Sequence, residues 1–347
     1  MPKKRSRVLS MVVIVILLII LALNIIQVPY FVSKPGTADP LRPMVDVEHG
    51  YKESGTLRLV TIYQGKASAW QYLLAKWDFN PYTQVTKAKY ITYPDENEKE
   101  MTVRELDYMK SAQDTAAYVA YKAAGKKPKI QHRGVLILNV HSQMPAGKVL
   151  KAGDVIQVFN GKPVTRISDM QGMLKGLKAG DVVHLTIKRG KTVKEVKTRL
   201  APFPKEWLPN DVKHKVGLGI LQSDNMALKV QPPVTFDTQG IGGPSAGLMM
   251  ALEIYEQLLP SDLTKGYDIC GTGTIDFDGR VGPIGGIKQK VVAADKAGAE
   301  IFFAPASDHE AKDAMAAAKD IGSKMKIVPV KTFDDALKYL QTLKPKQ

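Results

Sequence analysis

Two glycine-framed segments hold the residues best suited to chemistry. Gly243-Pro244-Ser245-Ala246-Gly247 sets a serine between glycines at the start of an apolar helical run. Gly285-Gly286-Ile287-Lys288-Gln289-Lys290 feeds two lysines into a second helix. A serine hydroxyl is a weak nucleophile until a base takes its proton. A helix N-terminus offers free N–H groups and a partial positive charge, which suit an oxyanion. The amides of Gly242, Gly243 and Ser245 are therefore the candidate oxyanion donors. The competing reading is that Ser245 caps the helix, the ordinary work of a serine at such a place.

The base is harder to assign. None of the six histidines (His49, His132, His141, His184, His214 and His309) lies in a recognisable motif around Ser245. Lysine can replace histidine when burial strips its charge and lowers its pKa towards neutrality. Of Lys288 and Lys290, only one can point inward from a helix. With Ile287 as reference at about 100° per residue, Val291, Ala294 and Gly298 share a face, and Lys290 lies slightly nearer to it. Two exposed lysines satisfy the same spacing. Gly243-x-Ser245-x-Gly247 also fits the G-x-S-x-G pattern of esterases, with Asp308 and His309 following in a workable order. Against that reading, only about 100 residues follow Ser245 and no H-G-G-G-type loop precedes it.

The rest of the chain must position these groups. It has 347 residues, 44% apolar and 24% charged, as an ordinary globular protein does. Lys3, Lys4, Arg5 and Arg7 precede a stretch from Val8 to Ile26 that is apolar except for Ser10 and Asn24. That run matches the ~20 residues needed to cross a bilayer and exceeds the apolar region of a cleaved signal. The cations place the N-terminus in the cytoplasm. The expected order is a basic tail (1–7), a single-pass transmembrane anchor (8–28) and an extracytoplasmic remainder at the cell membrane. A net charge of +15 suits anionic lipid or wall polymers, or else describes a merely solvated surface. No nucleic-acid motif is present. Cys270 stands alone, so no intramolecular disulfide can form, and its apolar neighbours place it in a core.

Residues 33–50, rich in proline and glycine, read as a linker within an N-terminal region (29–130). Thr56 to Tyr63 alternates as a strand. Thr102 opens a predicted helix towards Gly125 with capping-box spacing. Residues 66–100 show no usable pattern. Over 131–200 the pattern turns to short strands and tight turns, with Leu150-x-x-Gly153-Asp154-x-Ile156 and Asn160-Gly161-x-x-Val164. This stretch resembles a PDZ domain of the kind found with bacterial proteases. The resemblance implies that Gly134, Val135, Leu136 and Ile137 form the loop and strand edge that receive a peptide as an added strand. A spacer or lid is the alternative. A proline-rich boundary follows at Ala201-Pro202-Phe203-Pro204 and Pro209, then strands near 216–221 and 226–230.

Three ordered motifs, Gly243–Gly247, Thr272-Gly273 and Pro283–Lys290, resemble the proteolytic domain of Lon-type (S16) proteases. The resemblance runs from about Val216 to the C-terminal region. It implies a compact α/β (α+β) proteolytic domain over 201–347, with Ser245 as nucleophile, Lys290 as general base and Thr272 supporting the lysine. Two departures stand out. No Gly-x-x-x-x-Gly-Lys-Ser/Thr sequence is present, so no ATP-driven motor is expected. Gly242-Gly243 replaces the Asp-Gly usual before the Pro-Ser pair. The whole order is similar to the YlbL/SepM group of membrane-anchored surface proteases, which implies protein or peptide substrates, including secreted signalling peptides. Homo-oligomeric rings are common in the wider family, but no segment here establishes one. The chemistry calls for no cofactor and no metal. The reading from another class is a non-catalytic PDZ receptor.

Overall fold

A computed structural model describes residues 2–204, 215–307 and 309–346, with side chains from residue 9 onward. Pro209, His214, Asp308 and the side chains of Lys3, Lys4, Arg5 and Arg7 lie outside the described residues.

The two glycine-framed segments lead into helices that pack on a six-stranded sheet. Its order is Lys326–Val330, Ile301–Pro305, Asp268–Gly271, Thr56–Ser68, Gln27–Pro40 and Gln84–Lys87. The first four strands run parallel and the last two pair antiparallel. A parallel sheet is covered on both faces, and its strands therefore read as unbroken apolar runs. Ile301 and Phe303 enter a core with the helices Glu98–Ala123, Gly247–Leu258 and Phe333–Thr342. Phe302 and Ala304 enter the opposite core with the helices Ile287–Lys296 and Glu310–Asp320. Cys270 is fully buried in that second core, as its neighbours imply.

Two early segments differ from expectation. Residues 33–40 are not linker, because Gln27–Pro40 is an inner strand of this sheet. Its Pro-Gly content is absorbed by a register shift between Pro35 and Ala38, since a bulge tolerates residues a regular ladder rejects. The long helix starts at Glu98, before Thr102, because Asn97 and Glu100 form the capping box. Thr102 instead returns its hydroxyl to Glu98 O.

A second, antiparallel sheet meets the helix Glu98–Ala123 through its first two strands, in the order Ile220–Lys229, Lys129–Val140, Asp154–Phe159, Val182–Arg189 and Thr192–Arg199. Its core is built from Val135, Ile137, Ile156, Phe159, Leu185 and their neighbours. The two expected strands between 216 and 230 are mainly one strand, Ile220–Lys229, bent by two register shifts.

The N-terminal helix spans Pro2–Ile25, and its side chains from Leu9 to Leu21 are largely exposed. Among the described residues no helix is long and apolar enough to cross a membrane.

Candidate active site

Ser245 lies two residues before the helix Gly247–Leu258, whose N-cap is Ala246 and receives no side-chain bond. The capping reading of Ser245 therefore gives way to another arrangement. Ser245 Oγ stands 2.7 Å from Lys290 Nζ, and Lys290 Nζ donates to Thr272 Oγ1 at 2.9 Å. Thr272 donates its own proton to the Ser245 carbonyl at 3.0 Å, and Gly273 N–H donates to the same carbonyl at 2.8 Å. Because the Thr272 proton is committed, its oxygen accepts from the lysine. The lone pair of a neutral Lys290 is left facing Ser245.

Lys290 reaches this place through the turn before its helix. Gly286 is the N-cap of Ile287–Lys296 with φ +72°, a left-handed geometry that glycine adopts cheaply. A Cβ at Gly286 would also come within 3.0 Å of Ile62. Lys290 is then only 3% exposed, whereas the Lys288 side chain is 52% exposed beside Asp313. Burial pushes the Lys290 ammonium down from its ordinary 10.5 to about 7, opposed by the nearby negative charge of Glu310. At neutral pH this lysine holds a substantial neutral fraction, as a general base requires.

The Thr272 hydroxyl is expected to matter modestly. Thr272→Val should lower kcat/KM roughly 3- to 10-fold, the worth of one hydrogen bond. Steady-state kinetics on a peptide would check this, and an unchanged rate would remove Thr272 from the site.

The loop before the serine corrects one expectation. Gly243 N–H is not free for an oxyanion, because it donates to Glu105 O at 2.9 Å. Gly243 has φ +86°, and a Cβ at Gly242 would come within 2.8 Å of the Glu105 Cβ. The helix Glu98–Ala123 thus packs directly on the glycines, leaving no room for a side chain at 242. Among the described residues, the amides of Gly242 and Ser245 have no acceptor within the chain. They are the donors that remain. Glu105 was missed in the sequence because its contact with the loop spans well over one hundred residues.

A cleft of about 1380 Å³ opens at Ser245, lined among others by Val60, Ile62, Gly65, Met101, Glu105 and Ile284. Strand Asp268–Gly271 ends opposite Leu59. Beyond that point the cleft-facing edge of the strand Thr56–Ser68 has no partner strand among the described residues, a ready template for an extended chain. Glu310 supports the other rim, since its Oε1 accepts from Ile284 N–H at 2.8 Å. His309, the candidate esterase histidine, is exposed at the start of the Glu310–Asp320 helix and has no bond to Ser245.

The four residues assigned to peptide capture also move. Val135, Leu136 and Ile137 pair with Asp224, Ser223 and Gln222 on one side. Val135 and Leu136 pair with Ile156 and Val155 on the other. A Cβ at Gly134 would meet Ile156 O at 2.4 Å. This is an interior strand with no edge to offer. Among the described residues the sheet has two edges, Thr192–Arg199 and Ile220–Lys229. The second lies beside the interior strand and is tied to the helix Ile167–Leu174 by the Ile167 N–H bond to Asp224 Oδ1 at 2.6 Å.

Comparison with known proteins places both units. Residues 238–342 match the profile of the Lon protease (S16) C-terminal proteolytic domain. Residues 110–200 match that of the PDZ domain. A Lon protease from Campylobacter concisus is 42% identical over 96 residues, 28% of this chain and 12% of that protein. One from Trichlorobacter lovleyi is 41% identical over 96 residues, covering 28% and 11%. The chain thus spans only a small part of the curated relatives it matches. Among solved structures, the PDZ domain of an SdrC-like protein from Listeria monocytogenes is 26% identical, covering 27% of this chain and 92% of its own, with a TM-score of 0.24.

Proposed function

On the premise that the chain carries a Lon-type (S16) serine peptidase domain and a PDZ domain, we propose that it is an ATP-independent endopeptidase working through a Ser245–Lys290 dyad. The observation that carries this is the 2.7 Å approach of a buried lysine to the serine. Neutral Lys290 takes the Ser245 proton, and the serine oxygen attacks a peptide carbonyl. The amides of Ser245 and Gly242 receive the developing oxyanion. Lys290 then returns the proton to the leaving amine, and water later releases the acyl group by the same route.

Substrates enter as extended chains along the cleft. The edge Ile220–Lys229, in place of Gly134–Ile137, receives a peptide strand on the PDZ unit. The apolar run Val8–Ile26, counted over the sequence and not over the described side chains alone, anchors the chain in the cell membrane with its basic start in the cytoplasm and the catalytic unit outside. Its support is the run of exposed apolar side chains from Leu9 onward. Outside the cell, proteins and secreted signalling peptides are the available substrates, in keeping with the resemblance to the YlbL/SepM group.

An electrophilic phosphonate ester tests the nucleophile directly. The full chain should gain one adduct at Ser245, located by peptide mass mapping, without added nucleotide. Lys290→Ala should label far more slowly. An adduct at another serine, with Ser245 unmodified, would end the assignment.

A further inference from the structure

The helix Ala69–Trp77 carries an apolar face that nothing among the described residues covers. Leu74 is 46% exposed, Trp77 70% and the following Phe79 100%. Leu74 and Trp77 are three residues apart and so share one helix face. Large apolar groups gathered on a surface mark a contact with something apolar. Exposed Lys66 and Lys76 flank them.

The location of this face identifies the occupant. Ala69 N–H donates to Ile26 O at 2.8 Å, and Gln27 pairs with Ser68. The helix Ala69–Trp77 packs against Pro2–Ile25 itself. Ile25 and Ile26 are also exposed, at 71% and 54%. The exposed apolar side chains of the N-terminal helix and those of Leu74, Trp77 and Phe79 thus belong to two elements in direct contact. Tryptophan with nearby lysine is the composition that settles at the boundary of a bilayer.

We propose that Leu74, Trp77 and Phe79 insert into the interfacial layer of the membrane that holds Pro2–Ile25. This rests on the anchor reading given above. It also limits the height of the active site. The strand Thr56–Ser68 lines the cleft near Ile62 and runs directly into the helix Ala69–Trp77. Seven extended residues from Ile62 to Ala69 span about 23 Å. The cleft at Ser245 would then lie no more than roughly 2–3 nm from the headgroups, within reach of membrane-tethered chains.

The test uses the full chain in vesicles of phosphatidylcholine and phosphatidylglycerol. Trp70→Phe and Trp207→Phe leave Trp77 as the single tryptophan. Its emission should shift to the blue, resist aqueous iodide and be quenched by lipids brominated high on the acyl chain. Moving the probe with Phe79→Trp on a Trp77→Phe background should give the same pattern. Extraction by alkaline carbonate separates the two claims. A chain washed from the vesicles overturns the anchor and, with it, the insertion. A retained chain whose Trp77 is open to iodide and untouched by bromine overturns the insertion alone. Iodide protection without bromine quenching, fading as lipid is added in excess, assigns the face to a second copy and also overturns it.

Discussion

Lys290→Ala should lower kcat/KM for an unstructured peptide by roughly 10²–10⁴-fold, the share a general base supplies in such reactions. Ser245→Ala should lose at least as much. The double variant should be hardly worse than either single one, because a nucleophile without its base is already idle. Lys290→Arg should not rescue, since a guanidinium stays protonated at any working pH and has no lone pair to offer. Lys288→Ala is the internal control. Its ammonium is turned outward beside Asp313 at 3.6 Å, so most activity should remain. Product formation is followed by mass spectrometry without nucleotide. Full activity in Lys290→Ala together with loss in His309→Ala would reinstate the esterase-type triad.

The motifs were legible in sequence because each is a local device. Gly286 needs φ +72° to start its helix, and Gly243 needs φ +86° before Pro244. Such needs leave glycines in fixed places. The choice between Lys288 and Lys290 was less clear, because they lie on opposite sides of the apolar face at nearly equal angular distances from it. The structure separates them by burial, which depends on the packing of Ile287, Val291 and Ala294 into a core built by distant strands. What sequence could not show is tertiary. Glu105 meets Gly243 across well over one hundred residues, and Gln27–Pro40 is an inner strand despite a linker-like composition.

The edge expected at Gly134–Ile137 is paired on both sides for a tertiary reason of the same kind. Gly134–Ile137 has the composition of a buried strand, but only pairing on both sides reveals that it is interior. The strand that takes the edge, Ile220–Lys229, comes after the rest of its sheet in the sequence. Local pattern alone therefore assigned it to the following unit.

Acid should silence the enzyme without unfolding it first. Burial lowers the Lys290 pKa from 10.5 to about 7, and only the neutral amine can accept the Ser245 proton. Accordingly kcat/KM should rise with pH through about 7 and then level off. Below that point it should fall about tenfold per pH unit, so that pH 5 leaves on the order of 1% of the plateau. Glu310 sets the position of this limb, because its negative charge favours the ammonium form and raises the lysine pKa. Glu310→Gln keeps an oxygen acceptor for Ile284 N–H but removes the charge, so the limb should move to lower pH. Folding stability responds to the same group with a definite sign. Between about 7 and 10.5 the unfolded chain binds the Lys290 proton and the folded chain does not. Over that window stability therefore rises with pH. Lys290→Met should abolish this slope while filling the same space, and thermal unfolding across the window would measure it. A rate limb unmoved by Glu310→Gln, with the slope intact in Lys290→Met, would assign both effects to another group.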